Sequence, residues 1–144
     1  MAESGPILLV EDDAVDVMAV QRALRELHVA NDLAYAGDGE EALAYLRSPE
    51  NETPCVILLD LNMPKMNGIE FLQVLRADEA LRNIRVAVVS TSPDRQDMAR
   101  SFDLGAVAYV AKCSSYGEFR EKMRAITPYL TAVGPAETLE PAPL

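Results

Sequence analysis

The chain has 144 residues, 49% of them hydrophobic and 25% charged, the balance of a soluble globular protein long enough to bury a core without staples. Its 23 acidic residues outnumber 13 basic ones, giving a net charge of −10, which argues against nucleic acid or an anionic membrane surface as a direct partner. No apolar run approaches the ~20 residues of a membrane span, and residues 1–6 lack the features of a signal peptide, so a cytoplasmic location is expected, with Cys55 and Cys113 reduced and without metal-ligand spacing.

In chain order, Ile7, Leu8, Leu9 and Val10 form a first buried strand. Val17, Val20, Leu24 and Leu27 recur at helical spacing, so residues 14–27 read as a helix. Residues 33–36 are a second strand, and Asp38 with Glu41 three positions on makes a capping-box-like start for a helix ending near Leu46. Residues 51–54 are a polar loop into the third strand, Val56, Ile57, Leu58 and Leu59, which ends in the single carboxylate of Asp60. A third helix spans residues 68–76, and a fourth strand lies within residues 84–90. Ser92 and Pro93 suit the N-cap and first turn of a fourth helix, with Gly105 as its stop. Residues 107–111 are the fifth strand. Ser115 with Glu118 opens a fifth helix whose inner face is Phe119, Met123 and Ile126, and Pro128 is expected to end or kink it.

Five strands alternating with five helices predict an α/β protein: a parallel five-stranded sheet between two helical layers, a flavodoxin-like (βα)5 three-layer sandwich in strand order 2-1-3-4-5. The expected organisation is a short extension over residues 1–5, one domain over residues 6–130, and an extended Pro/Ala-rich tail over residues 131–144.

Four strand ends carry polar residues on the edge where such sheets hold ligands. The first is followed by Glu11, Asp12 and Asp13, the third by Asp60, the fourth ends at Ser90 and Thr91, and the fifth is followed by Lys112. Neighbouring first and third strands place Glu11, Asp12 and Asp60 in one small site. Crowded carboxylates repel one another, and Mg²⁺ suits the site because it binds through a few carboxylates and accepts phosphate oxygens. Lys112 supplies a point charge suited to phosphate, and Ser90 a hydroxyl. A carboxylate nucleophile, Mg²⁺, a lysine and a hydroxyl together describe phosphoryl transfer to Asp60. Taken singly, each residue has a blander use: the acidic triplet as a helix start, Ser90 as a strand-end hydrogen bonder, Tyr109 and Cys55 as core, His28 as a helix-end residue.

Leu9 to Asp13, Leu59 to Pro64 with Gly68, Val89-Ser90-Thr91 and Tyr109 to Lys112 together resemble the receiver domains of two-component response regulators, CheY-like in size and layout. The resemblance covers residues 7–129. It implies that Asp60 is the phospho-acceptor, that Glu11, Asp12 and the Asn62 backbone carbonyl hold Mg²⁺ with Asp60, and that Lys112 pairs with the phosphoryl group. It further implies that Ser90 and Tyr109 are the switch pair. Asp13 stands as an alternative to Asp12 at a register shifted by one residue. The activity implied is self-phosphorylation from phosphohistidine with slow autodephosphorylation, in a protein that is not otherwise an enzyme.

The family usually places Pro after its lysine, often with a cis peptide bond; Cys113 stands there in this chain, where a cis bond costs ~2.5–4 kcal/mol. With no output domain expected after the fifth helix, the signal is expected to leave through protein contacts. A sensor histidine kinase is the implied partner. Residues 75–92 are similar to the stand-alone regulators paired with phytochrome-type kinases, which points to a bacteriophytochrome. The face of helix four, strand five and helix five is a candidate homodimer surface. The competing reading is a docking or dimerising module that works without phosphorylation. A flavin or nucleotide binder is disfavoured, because Glu11, Asp12 and Asp13 occupy the loop where a phosphate-cradling segment would lie.

Overall fold

A computed structural model describes residues 5–63, 65–91, 94–112 and 115–131. The apolar runs form five strands: β1 (Ile7–Val10), β2 (Leu33–Ala36), β3 (Val56–Leu59), β4 (Arg85–Ser90) and β5 (Ala108–Ala111). Between and after them lie α1 (Ala14–Glu26), α2 (Gly39–Arg47), α3 (Gly68–Ala77), α4 (Arg95–Asp103) and α5 (Tyr116–Thr131). The strands form one parallel sheet in the order β2-β1-β3-β4-β5, as the sequence predicts.

The sheet is apolar on both faces, and each face has its own helices. Leu8, Val10, Ile57 and Leu59 pack with residues of α2 and α3, while Ile7, Leu9, Val56 and Leu58 pack with α1 and α5. Every residue of β1 and β3 is buried. Each such Leu, Ile or Val contributes about 1.5–3 kcal/mol through removal from water, so the two central strands form a stiff platform. Val10 pairs in register with Leu59, and Ser90 with Ala111. These levels bring Glu11 beside Asp60 and set Lys112 one residue past the end of β5.

Polar side chains start the helices by accepting the first free backbone N–H groups. Asp13 accepts from Val15 and Asp16, Asp38 from Glu41, and Asn67 from Glu70 in a reciprocal capping box. The fourth helix starts later than the sequence suggests. Its cap is Asp94, whose carboxylate accepts from the N–H groups of Gln96 and Asp97; Ser92 and Pro93 lie outside the described residues. A carboxylate next to a helix N-terminus also gains from the helix dipole, an advantage Ser92 lacks.

Gly105 stops α4 at φ +88°, a conformation that favours glycine. His28 takes the equivalent place after α1 at φ 61°, where the Val29 N–H donates to the Leu24 carbonyl. It is a helix-end residue, as expected. Pro128 does not end α5, which continues to Thr131. The proline cannot donate to the Arg124 carbonyl, but the Thr127 hydroxyl does so at 2.9 Å, and the turn beyond is held by the buried side chain of Leu130. Thr131, the first residue of the tail expected over residues 131–144, is the last residue of α5; residues 132–144, and the peptide bond between Lys112 and Cys113, lie outside the described residues.

Candidate functional site

The carboxyl edge of the sheet gathers charges that the core beneath it cannot solvate. Glu11 and Asp60 are the first residues after β1 and β3, and both are buried. Asp12 is exposed beside them. One carboxylate oxygen from each of Glu11, Asp12 and Asp60 lies within 4.8 Å of the other two. Three carboxylates at this spacing repel, and two of them have little water to disperse the charge. Burial pushes Glu11 up to about 7, chiefly by desolvation and against the pull of Lys112. Burial also raises Asp60, against the Lys112 charge and a hydrogen bond from the Asn62 N–H.

Lys112 is the main cation among the described groups of this site. Its side chain is 9% exposed. The ammonium donates to Glu11 Oε1 at 2.6 Å and to Asp16 Oδ2 at 2.8 Å, and stands 3.8 Å from Asp60 Oδ1. Burial pulls the ammonium pKa down, but the hydrogen bonds to Asp16 and Glu11 and the Asp60 charge outweigh it, and the net direction is up. One lysine facing three carboxylates, with Asp12 beside them, leaves the site short of positive charge. A hard divalent cation such as Mg²⁺ or Mn²⁺ fits that donor set of oxygens: Glu11, Asp12 and Asp60 are the residues placed to hold it.

Of the predicted residues, Glu11, Asp12, Asp60 and Lys112 lie together. Asp13 lies next in sequence, but its carboxylate caps α1 and is not one of the three clustered groups. Asn62 is exposed; its N–H donates to Asp60 Oδ1 at 3.3 Å and its side-chain amide lies 3.5 Å from Ser90 Oγ. Ser90 is fully buried at the end of β4. Tyr109 is buried too, and burial raises its hydroxyl pKa against the opposing effect of a hydrogen bond with Ser90. A chain of polar contacts thus runs from Asp60 through Asn62 to Ser90.

Gly68 explains how the loop after Asp60 closes. A Cβ there would stand 2.6 Å from Leu61 Cα and 2.8 Å from the Asp60 carbonyl oxygen, so only glycine lets α3 begin this close to the loop after Asp60. The Gly68 N–H donates to the Leu61 carbonyl at 3.0 Å and ties the loop shut. Beyond it opens a cavity of about 440 Å³, lined by Asp12, Asn62, Met63, Glu70, Asp97 and Arg100 among others. It lies between the loop after Asp60 and α4 and leaves the site accessible on that side.

Two features escape the sequence reading. Asp16 is the second partner of Lys112, although 96 positions separate them; the only sequence signal is a carboxylate one turn into the helix that follows the acidic triplet. Arg76 is the other. Its guanidinium donates to the carbonyls of Leu104, Arg82 and Ile84 at 2.6, 2.8 and 2.9 Å, joining the end of α3 to the end of α4 and the start of β4.

A 2-1-3-4-5 parallel sheet whose edge joins an acidic cluster to a lysine and a buried serine–tyrosine pair defines a receiver domain. Residues 7–124 match the family described as response regulator receiver domain, and the chain belongs to it. Among its relatives, response regulator Rcp1 of Synechocystis sp. is 38% identical over 117 residues, 76% of this chain and 80% of that protein. The crystal structure of the phosphorylated cyanobacterial phytochrome response regulator RcpA matches with a TM-score of 0.80 at 34% identity, over 88% of this chain and 94% of that one. The Mn²⁺-bound form of Rcp1 also gives 0.80, at 30% identity, over 97% of this chain and 99% of that one. The chain is thus a CheY-like receiver of two-component signalling, related to phytochrome response regulators. Among the described residues no helix is long and apolar enough to cross a membrane.

Proposed function

We propose that this chain is a phosphorylation-controlled switch in which Asp60 accepts a phosphoryl group from the phosphohistidine of a sensor histidine kinase. The observation that carries the reading is the placement of Asp60: 4% exposed, grouped with Glu11 and Asp12, and 3.8 Å from the Lys112 ammonium. An Asp60 carboxylate oxygen attacks phosphorus; the new P–O bond forms as the P–N bond breaks, and the imidazole leaves with its electron pair. Glu11, Asp12 and Asp60, with the Asn62 backbone carbonyl, would hold Mg²⁺, and the ion would supply neutralisation of charge on the phosphoryl oxygens. Lys112 donates an N–H to one of those oxygens, and the Ser90 hydroxyl donates to another.

Once Ser90 turns toward the phosphoryl group, the space it leaves at the end of β4 lets the buried Tyr109 ring of the neighbouring β5 change rotamer. That is a local event with a bistable element beside it, as switching requires. The surface formed by α4, β5 and α5 then meets a partner or a second copy of the chain. In slow autodephosphorylation water attacks phosphorus, the P–O bond to Asp60 breaks, and the carboxylate leaves as inorganic phosphate is released. The kinship with phytochrome response regulators supports a bacteriophytochrome as the kinase, acting in the cytoplasm, where residues 6–130 form the receiver and residues 131–144 its tail.

The test is incubation with acetyl phosphate and Mg²⁺ followed by intact-protein mass measurement. The wild type should gain one phosphoryl group; Asp60→Asn should gain none, and chelation of Mg²⁺ should stop the reaction. A gain that survives Asp60→Asn overturns the reading.

A further inference from the structure

Lys112 has three N–H donors and no acceptor. Among the described residues two are used, on Glu11 at 2.6 Å and on Asp16 at 2.8 Å, while Asp60 at 3.8 Å is beyond hydrogen-bond range. The two partners differ in kind. Glu11 belongs to the three clustered carboxylates that suit a metal, so its charge is divided once a cation is present. Asp16 belongs to no such group. It sits in the first turn of α1, on an element fixed by the Asp13 cap and by Val20, Ala23 and Leu24 buried against the sheet.

We propose that Asp16 is a positioning residue of the phosphoryl-transfer site: it anchors the Lys112 ammonium independently of Glu11, leaving one N–H uncommitted for the phosphoryl oxygen at Asp60. The proposal rests on the reading of Asp60 as acceptor. A lysine side chain has four rotatable carbons' worth of freedom, and an anchored ammonium meets the phosphoryl group without first being ordered. The arrangement also explains why the site tolerates a fourth carboxylate near three others: without Asp16, Lys112 leans on Glu11 alone and competes with the metal for it. A groove of about 190 Å³ between α1 and α5, lined by Val15, Asp16, Ala19, Lys112, Tyr116 and Phe119 among others, reaches this pair from the side opposite α4.

Two measurements test it on the full chain. In the first, Asp16→Ala and Asp16→Glu are phosphorylated with phosphoramidate and Mg²⁺ over a range of donor concentrations. Asp16→Ala should lower the maximal rate about tenfold and leave the half-saturating donor concentration within about twofold, the pattern of lost positioning; Asp16→Glu should recover part of the rate. A wild-type rate in Asp16→Ala, or equal loss in both variants, overturns the proposal. The second needs neither metal nor phosphoryl transfer. Lys112 acylation is followed by peptide mass mapping in the metal-free protein, and Asp16→Ala should raise its rate several-fold because the side chain has lost one of its two hydrogen-bonded anchors and leaves the site more often. An unchanged acylation rate overturns the proposal. Should wild-type protein take up no phosphoryl group while Lys112 acylation responds as expected, the acceptor reading fails and the Asp16 anchor stands.

Discussion

Helices α3 and α4 flank the same cavity beside Asp60 and differ by one residue in length, ten against nine, yet they are held in opposite ways. α3 buries Gly68, Ile69, Phe71, Leu72 and Leu75 and begins in a reciprocal capping box. α4 buries only Ser101, whose hydroxyl donates back to the Asp97 carbonyl of its own helix; Met98 and Phe102 are half-buried. The helix that follows the Asp60 loop is locked to the sheet, and the helix that follows Ser90 rests on it lightly. Local opening follows the density of buried apolar contacts, so the Asp60 site has a rigid element on one side and a yielding one on the other.

Truncation should expose this difference most strongly. Phe71→Ala empties a fully buried position and should cost about 3–5 kcal/mol in denaturant unfolding. Phe102→Ala, at a partly buried position in α4, should cost less than half as much; equal losses would erase the distinction between the helices. Gly68→Ala forces a methyl against the Asp60 carbonyl and Leu61 and should destabilise by about 1–3 kcal/mol. Because the displaced backbone is the loop after Asp60, it should also slow phosphorylation, which Phe102→Ala should not.

Arg76→Leu sharpens the comparison at the point where the helices meet. It removes three hydrogen bonds of 2.9 Å or less to carbonyls of Leu104, Arg82 and Ile84 and should cost about 1–3 kcal/mol. Hydrogen exchange should quicken in α4 and leave the first turns of α3 unchanged. The smallest effect concerns α1 and α5, the pair on the other face. Hydrogen bonds from Arg22, Arg120 and Tyr116 hold Glu26 down at about 2, below its ordinary value of 4.5. A carboxylate depressed on folding stabilises the protein above its unfolded value and loses that contribution as pH falls through the folded one. The stability gap between wild type and Glu26→Gln should therefore be full above pH 4.5 and fade toward pH 2. The site is exposed, so the gap is expected to be small and to shrink with added salt.

Much of this was legible in the chain. The strand order follows from five apolar runs alternating with helical periodicity, and the site follows from Glu11, Asp12, Asp60, Ser90 and Lys112 all falling at strand ends. What escaped depends on contacts between distant segments or on competition between neighbouring signals. Ser92-Pro93 and Asp94 both offer a helix start, and composition does not say that the carboxylate prevails. Pro128 reads as a stop unless Thr127 is seen to take over the Arg124 carbonyl. Asp16 reads as an ordinary first-turn acid until the fold carries Lys112 to it. Asp13 shows the converse: its chemistry suits a metal, but its position one residue further along commits it to capping α1.

The central claim is that phosphorylation at Asp60 is felt through the loosely seated side of the cavity. Hydrogen exchange of wild type and Asp60→Asn, each with and without acetyl phosphate and Mg²⁺, tests it directly. Phosphorylated wild type should change protection in α4, β5 and the start of α5, with α3 beyond its first turn unaltered and no change in Asp60→Asn. Protection changes spread evenly over α3 and α4, or present in Asp60→Asn, would contradict it.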